Sequence, residues 1–138
     1  MVVTREISLK TGGECDTIDI TQHIEKEISG SGISAGVVTI FVAGSTAGVT
    51  TTEFESGVLA DLKDMWERII PRTIDYAHNR RWGDGNGYSH VRASLLGASL
   101  NVPFRNSRLI TGTWQQIVLV DFDNRPRSRK VVLQIVGE

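Results

Sequence analysis

A stretch near the middle of the chain, RWGDGNGYSH at residues 81–90, combines backbone freedom with hydrogen-bonding side chains. It ends in His90, and His78 lies shortly before it. Imidazoles exchange protons near neutral pH, so these histidines are candidates for acid–base chemistry, and Asp84 could orient the loop or a water. We predict catalytic roles for His90, His78 and Asp84. The alternative is that each histidine is a hydrogen-bonded structural residue.

The same stretch predicts an anion site. Residues 89–97, SHVRASLLG, have the pattern of a short helix capped by Ser89, with His90 and Ser94 one turn apart. Free amides and the helix dipole at such a start favour a phosphate, sulfate or carboxylate. Asp84 and Asn86 could instead only hold turn geometry. The predicted ligand-binding residues are Gly85, Asn86, Gly87, Ser94, Thr46 and Gln115.

The elements that must position these residues are predicted from hydrophobic patterns. GVVTIFVAG, residues 36–44, is typical of a central strand. An apolar stripe at helical spacing runs from Leu59 to Ile69, and Pro71 ends it. Residues 72–88 then read as a long ordered loop. Strands are predicted in ASLNVPF, LITGTWQQIVLVDFD and VVLQIVG.

The amino-terminal region predicts a hairpin and a short helix. Alternating apolar residues around Ile7 and Ile18 flank TGGE, which favours a turn between paired strands. Thr21 is predicted to cap a helix containing Ile24 and Ile28. Helices and hairpins mix without βαβ alternation, so we expect one α+β domain over residues 1–138 with a mainly antiparallel sheet.

Composition narrows the classes of function. The 15 Lys and Arg nearly balance 16 Asp and Glu over 138 residues, which gives no general attraction to nucleic acid. No apolar run approaches the roughly 20 residues that span a bilayer, and no leader is predicted. Cys15 is the only cysteine, which suits a reducing compartment. We expect a cytoplasmic protein that binds neither nucleic acid nor membrane.

A basic segment near the end of the chain is a separate candidate. DNRP predicts a turn, and Arg125, Arg127 and Arg129 alternate, so they could line one face of a hairpin and grip phosphate. The alternative is a solvated hairpin tip, because no aromatic residues are interleaved.

Several motifs together resemble those of the YjbQ family, also called UPF0047. They are GDGNGYSHVRASLLG, LNVPF, GTWQQIVLVDFD and the terminal VVLQIVGE, in family order across nearly the whole chain. The resemblance implies a sandwich-like α+β fold, a homotrimer and a secondary thiamine-phosphate synthase activity. That reaction condenses a pyrimidine pyrophosphate with a thiazole phosphate.

The resemblance also implies particular site residues. His78 and His90 match family histidines, and Glu53 matches an acidic position after STAGVTT. With a divalent metal, Mg²⁺ or Zn²⁺, the implied ligands are Glu53, His78 and His90, facing one polar cavity. Two family histidines are replaced here, by Gly44 and Tyr88, which removes two nitrogen ligands. Glu53 could alternatively be a solvated residue.

Two functions therefore remain open. The first is a thiamine-phosphate synthase in which His90 exchanges a proton with the departing phosphate oxygen. The second is a non-catalytic trimeric module that binds a phosphorylated metabolite or anion. The sequence shows no Cys–His nucleophile pair at a known motif, so nothing in it favours covalent catalysis.

Overall fold

Two antiparallel sheets and four helices make up the structure, a computed structural model that describes residues 1–138. In chain order the elements are β1 (Val2–Thr11), β2 (Asp16–Asp19), α1 (Thr21–Ser31), β3 (Ala35–Ala43), β4 (Ala47–Thr52), α2 (Ser56–Ile69), α3 (Ala77–Trp82), α4 (Gly87–Leu96), β5 (Ser99–Arg105), β6 (Arg108–Leu109), β7 (Gln116–Asp121) and β8 (Arg127–Gly137). The α+β prediction is confirmed.

The larger sheet has the strand order β1-β8-β3-β5-β6, and the smaller has the order β2-β7-β4. β3 lies in the middle of the larger sheet and pairs with both β8 and β5, as its β-branched sequence predicts. β8, the last strand of the chain, lies between β1 and β3. Half of the larger sheet therefore depends on pairings between distant parts of the sequence.

β7 separates two apolar layers because it is buried on both faces. Ile117 and Leu119 pack into the core between the two sheets, which α1 closes with Ile24 and Ile28. Val118, Val120 and Phe122 point the other way, into a second cluster with residues of α2 and α4. These helices thus cover the outer face of the smaller sheet, and α4 carries the predicted site.

Two predicted hairpins are wrong. β1 pairs with β8 whereas β2 pairs with β7, so the TGGE segment leads from one sheet to the other. The DNRP segment also connects strands of different sheets, since β7 and β8 are not neighbours. Turn residues predict a change of direction, but they do not determine which strand becomes the partner.

Several element boundaries also differ from the predictions. Residues 72–88 contain α3, so this connection is partly helical. α4 begins at Gly87 with Asn86 at its cap position, and Thr21 is the first residue of α1 and not its cap. Residues 110–115 lie outside the strands, so Gln115 lies in a loop. None of the helices has the length and apolarity needed to cross a membrane.

Candidate functional site

α4 is held in place by three buried side chains. Ser89 Oγ donates to the carbonyl of Phe122 at the end of β7. The Arg92 guanidinium donates to the Ile70 carbonyl and to Glu67, both at the end of α2. It also lies over the Tyr88 ring, 4.9 Å from the ring centre. These contacts fix the helix that carries His90.

The Tyr88 hydroxyl makes this anchor sensitive to alkaline pH. Burial, followed by its hydrogen bond to Glu14, raises the pKa of Tyr88 to about 12. Below pH 10 the phenol is neutral in both the folded and the unfolded chain, so its stabilisation is fully present. Between pH 10 and about 12 only the unfolded chain ionises. We expect the unfolding free energy to fall there by about 2 kcal/mol through this group.

Urea unfolding of the wild-type protein and Tyr88→Phe at several pH values from 8 to 12 measures this effect. The stability difference between the two proteins should narrow as pH rises, because phenylalanine cannot ionise. A difference that stays constant over this range would contradict the prediction.

His78 and His90 form a contacting pair at the surface of the helical layer. Their ring centres are 4.5 Å apart and the rings are tilted by 43°. His78 Nδ1 is 3.4 Å from Asp84 Oδ1, but the two atoms are not aligned for a hydrogen bond. Both histidines are half-buried. The structure thus brings together the three residues for which catalytic roles are predicted.

Asn86 is buried and lies between His78 and His90 in the sequence. Its side chain hydrogen-bonds to Asp123, just beyond the end of β7. Its Nδ2 donates to Asp123 Oδ1 at 3.2 Å, whereas its Oδ1 has no partner. In the whole chain only two buried side-chain polar atoms lack a partner, and they are Asn86 Oδ1 and His78 Nδ1. Buried polar atoms are nearly always satisfied, so these two atoms are exceptions within the fold.

A cleft of about 290 Å³ lies against His90. Its walls are the β3–β4 connection and one face of α4, and its lining includes Gly44, Ser45, His90 and Ser94. Ser94 Oγ donates to the His90 carbonyl. His90 is therefore accessible and is not sealed in apolar packing.

The backbone amides at the start of α4 differ from the prediction. Gly87 N donates to Asn79 Oδ1, and the Ser89 and His90 amides donate to the Asn86 carbonyl. The predicted set of free amides is therefore largely satisfied within the chain. Gly87 is a glycine for another reason, since a Cβ there would lie 2.6 Å from Tyr76 Cβ.

A buried charged network next to the site was missed by the sequence prediction. Asp121 and Asp123 are fully buried at the end of β7. Arg129 binds both carboxylate oxygens of Asp121, at 2.7 and 2.9 Å, and Arg127 Nε binds Asp123 at 2.6 Å. Thr46 connects the two parts, because its hydroxyl donates to Asp123 and accepts from Arg129.

The environment keeps both aspartates charged. Burial by itself raises the pKa of Asp121, but hydrogen bonds from Arg129 and Thr11 outweigh it and hold the pKa below its usual range. For Asp123 the opposing donors are Asn86, the Asn124 amide and Arg127, and the pKa is again lowered. The R-x-R pattern was an available signal, since it places Arg127 and Arg129 on one face of β8, whereas Asp123 lies beyond the end of β7.

Two predicted site residues lie elsewhere. Glu53 follows the far end of β4, and at about 3.3 Å per residue this six-residue strand places it roughly 20 Å from Thr46. Gln115 donates to Thr51 Oγ1 at that same end. Neither shares a cavity with the histidines within one chain. Gly85, by contrast, lies exposed in the loop just before Asn86.

The donor set does not fit the predicted metal within one chain. No three His, Cys, Asp or Glu side chains come together in a geometry that could hold an ion. His78 and His90 are neighbours, but the third predicted ligand, Glu53, lies at the distant end of β4. We therefore derive no chemical step through a metal.

The family model described as "UPF0047 protein YjbQ-like" matches residues 5–138. The chain belongs to the YjbQ family. A UPF0047 protein of Methanothermobacter thermautotrophicus is 36% identical over 137 residues, covering 99% of this chain and 94% of that protein. YugU of Bacillus subtilis is 33% identical over 135 residues, covering 96% and 98%.

Solved structures of YjbQ-family proteins have the same fold. A YbjQ-like protein of unknown function from Sulfolobus solfataricus aligns with a TM-score of 0.94 and 33% identity, covering 100% of this chain and 99% of that one. A YjbQ/UPF0047 protein from Clostridium acetobutylicum aligns with a TM-score of 0.87 and 36% identity, covering 96% and 99%. These relatives identify the YjbQ fold and name no substrate.

Proposed function

We propose that this YjbQ-family chain binds a phosphorylated small molecule at the His78–His90 site and has thiamine-phosphate synthase activity there. The observation that carries the proposal is the contact of the His78 and His90 rings, 4.5 Å apart, at a cleft that His90 lines. The choice of reaction rests on the resemblance to the family.

The residues can supply acid–base help to that reaction. The ring nitrogen of the thiazole phosphate forms a bond to the pyrimidine methylene carbon while the bond between that carbon and the pyrophosphate oxygen breaks, and pyrophosphate leaves. His90 donates a proton to the departing oxygen, and its contact with His78 fixes the orientation of the ring. Asp84 Oδ1 lies 3.4 Å from His78 Nδ1, so Asp84 is a positioning residue for the loop beside the histidine pair.

Turnover with the two phosphorylated substrates tests the proposal. His90→Ala should lower product formation about 100-fold, the lower end of what a positioned acid or base contributes. His23, the third histidine, is exposed on α1, so His23→Ala is the matched control and should retain full activity. Undiminished turnover in His90→Ala would remove the assignment.

A second function, a non-catalytic binding module, is favoured by one observation. Pyrophosphate displacement commonly uses a divalent cation, and one chain assembles no three-ligand site for it. A thermal-shift screen of phosphorylated metabolites, with and without Mg²⁺ and Zn²⁺, separates the two functions. Stabilisation without turnover would favour the module.

We also propose that the chain works as a cytoplasmic homotrimer. The outer face of the larger sheet carries a row of exposed apolar residues, since Val2 and Val37 both pair with Val136. Phe41 on the same face is 45% exposed. An exposed apolar face of this kind favours association with other subunits. The cytoplasmic location is supported separately by Cys15, since a single cysteine suits a reducing compartment. Sedimentation equilibrium should give three times the 15.2 kDa chain mass, and a monomer would contradict the trimer.

A further inference from the structure

One nitrogen of the Arg129 guanidinium, Nη1, takes no part in the buried network. Its side chain is 8% exposed, and Nε and Nη2 are fully used by Asp121 and Thr46. Nη1 makes no hydrogen bond, and it is not one of the two partnerless atoms that are sealed from solvent. Nη1 is therefore a free donor at the edge of a buried, rigidly held cation.

The position of Nη1 is set by Gly44. A Cβ on Gly44 would lie 2.8 Å from Nη1, so any side chain there would displace the guanidinium. Gly44 lines the cleft together with Ser45 and His90. The Gly44 and Ser45 amides donate to no backbone carbonyl. Nη1 thus lies against Gly44, a residue of the cleft wall, and is not itself part of the lining.

The oxygens of both carboxylates in the network are occupied by donors of the chain. Asp121 accepts from Arg129, Thr11 and the Asp123 amide. Asp123 accepts from Arg127, Asn86 and other donors. The guanidinium is fixed before any ligand arrives, so binding costs little side-chain entropy.

We infer that Arg129 Nη1 and His90 hold one phosphate group between them in this cleft, and that Gly44 admits the guanidinium. The inference rests on the proposed function and specifies its ligand as a small phosphate monoester. A cleft of about 290 Å³ is near the lower limit of ligand pockets, roughly 300 Å³, and suits a ligand of that size. Of the three alternating arginines, Arg129 is the one that serves phosphate recognition.

Calorimetric titration with inorganic phosphate and pyrophosphate tests the inference. Gly44→Ala should weaken phosphate binding at least tenfold, because the added Cβ displaces Nη1. Gly32→Ala is the first control, since Gly32 has a positive φ of 80°, as Gly44 has at 155°, its Cβ would meet nothing within 4 Å, and it lies at the end of α1 outside the cleft. Gly30→Ala, on α1 with the same open space, is the second. Both controls should stay within threefold of the wild-type affinity.

The outcomes distinguish this inference from the proposed function. If phosphate binding is lost in His90→Ala but Gly44→Ala behaves like Gly32→Ala, the role of Arg129 is overturned and the histidine site stands. If the wild-type protein binds neither anion, both proposals fail. Should Gly44→Ala not fold, Arg129→Lys replaces it, because lysine keeps a cation beside Asp121 but lacks Nη1. Unchanged phosphate affinity in Arg129→Lys would then overturn the inference.

Discussion

Arg129→Met should lower the free energy of unfolding by about 3–5 kcal/mol, because it leaves the Asp121 carboxylate buried without its cation. Asp121 is fully buried and binds the guanidinium through both oxygens. Thr11 and the Asp123 amide remain as donors, but neither carries a positive charge. Urea unfolding followed by tryptophan fluorescence measures the change. The total free energy of unfolding of a small domain is roughly 5–15 kcal/mol, so the loss is a large fraction of the stability.

Arg125→Met is the matched control, since Arg125 is exposed and lies on the same segment. It should change stability by no more than about 0.5 kcal/mol. Asp121→Asn combined with Arg129→Met removes both charges and should be less destabilised than the sum of the two single variants. Additive losses would show that the pair contributes nothing beyond its separate parts, against the prediction.

Phe122→Ala should cost about 3–5 kcal/mol through the cavity that it leaves beneath the helical layer. The Phe122 ring is fully buried and meets the Trp66 ring edge to face, with ring centres 5.0 Å apart. Its carbonyl also accepts from Ser89, so any backbone shift would reach α4 and the histidine pair. We therefore expect phosphate binding to weaken as stability falls.

Phe54→Ala controls for the loss of a phenyl ring. Phe54 is 42% exposed, so its removal should cost less than about 1 kcal/mol. Equal losses in the two variants would contradict the assignment of Phe122 to a closely packed layer between the smaller sheet and its helices.

Local patterns predicted the elements better than their pairing. β3 and α2 are each encoded by a continuous run of residues, and both lie where the patterns place them. The partner of β1 is β8, with Val2 opposite Val136, and nothing near Val2 encodes that choice. TGGE is a sound turn signal, but the packing of two sheets decides where the chain goes after it. Long-range pairing is therefore the part of the fold that the patterns leave undetermined.

The same distinction applies to the site: residues close in sequence could be grouped in advance, whereas contacts made by long-range packing could not. His78, Asp84 and His90 lie close in sequence, and two short consecutive helices bring them together. Glu53 was grouped with them by resemblance, and the length of β4 separates it from them within one chain. In the sequence, Asp121 alternates with Asp123 and Arg127 alternates with Arg129. Only the packing of one sheet on the other makes Asp121 and Arg129 face each other. Their pairing could not have been predicted from periodicity.

The position of β8 in the larger sheet also affects how the protein folds during its synthesis. β1 and β3 are made early and flank a gap that only the last strand fills. Until β8 has been synthesised and has left the ribosome, those two strands keep open edges and the larger sheet cannot close. Chains truncated before Arg127 are therefore expected to depend on chaperones and to be removed by proteases.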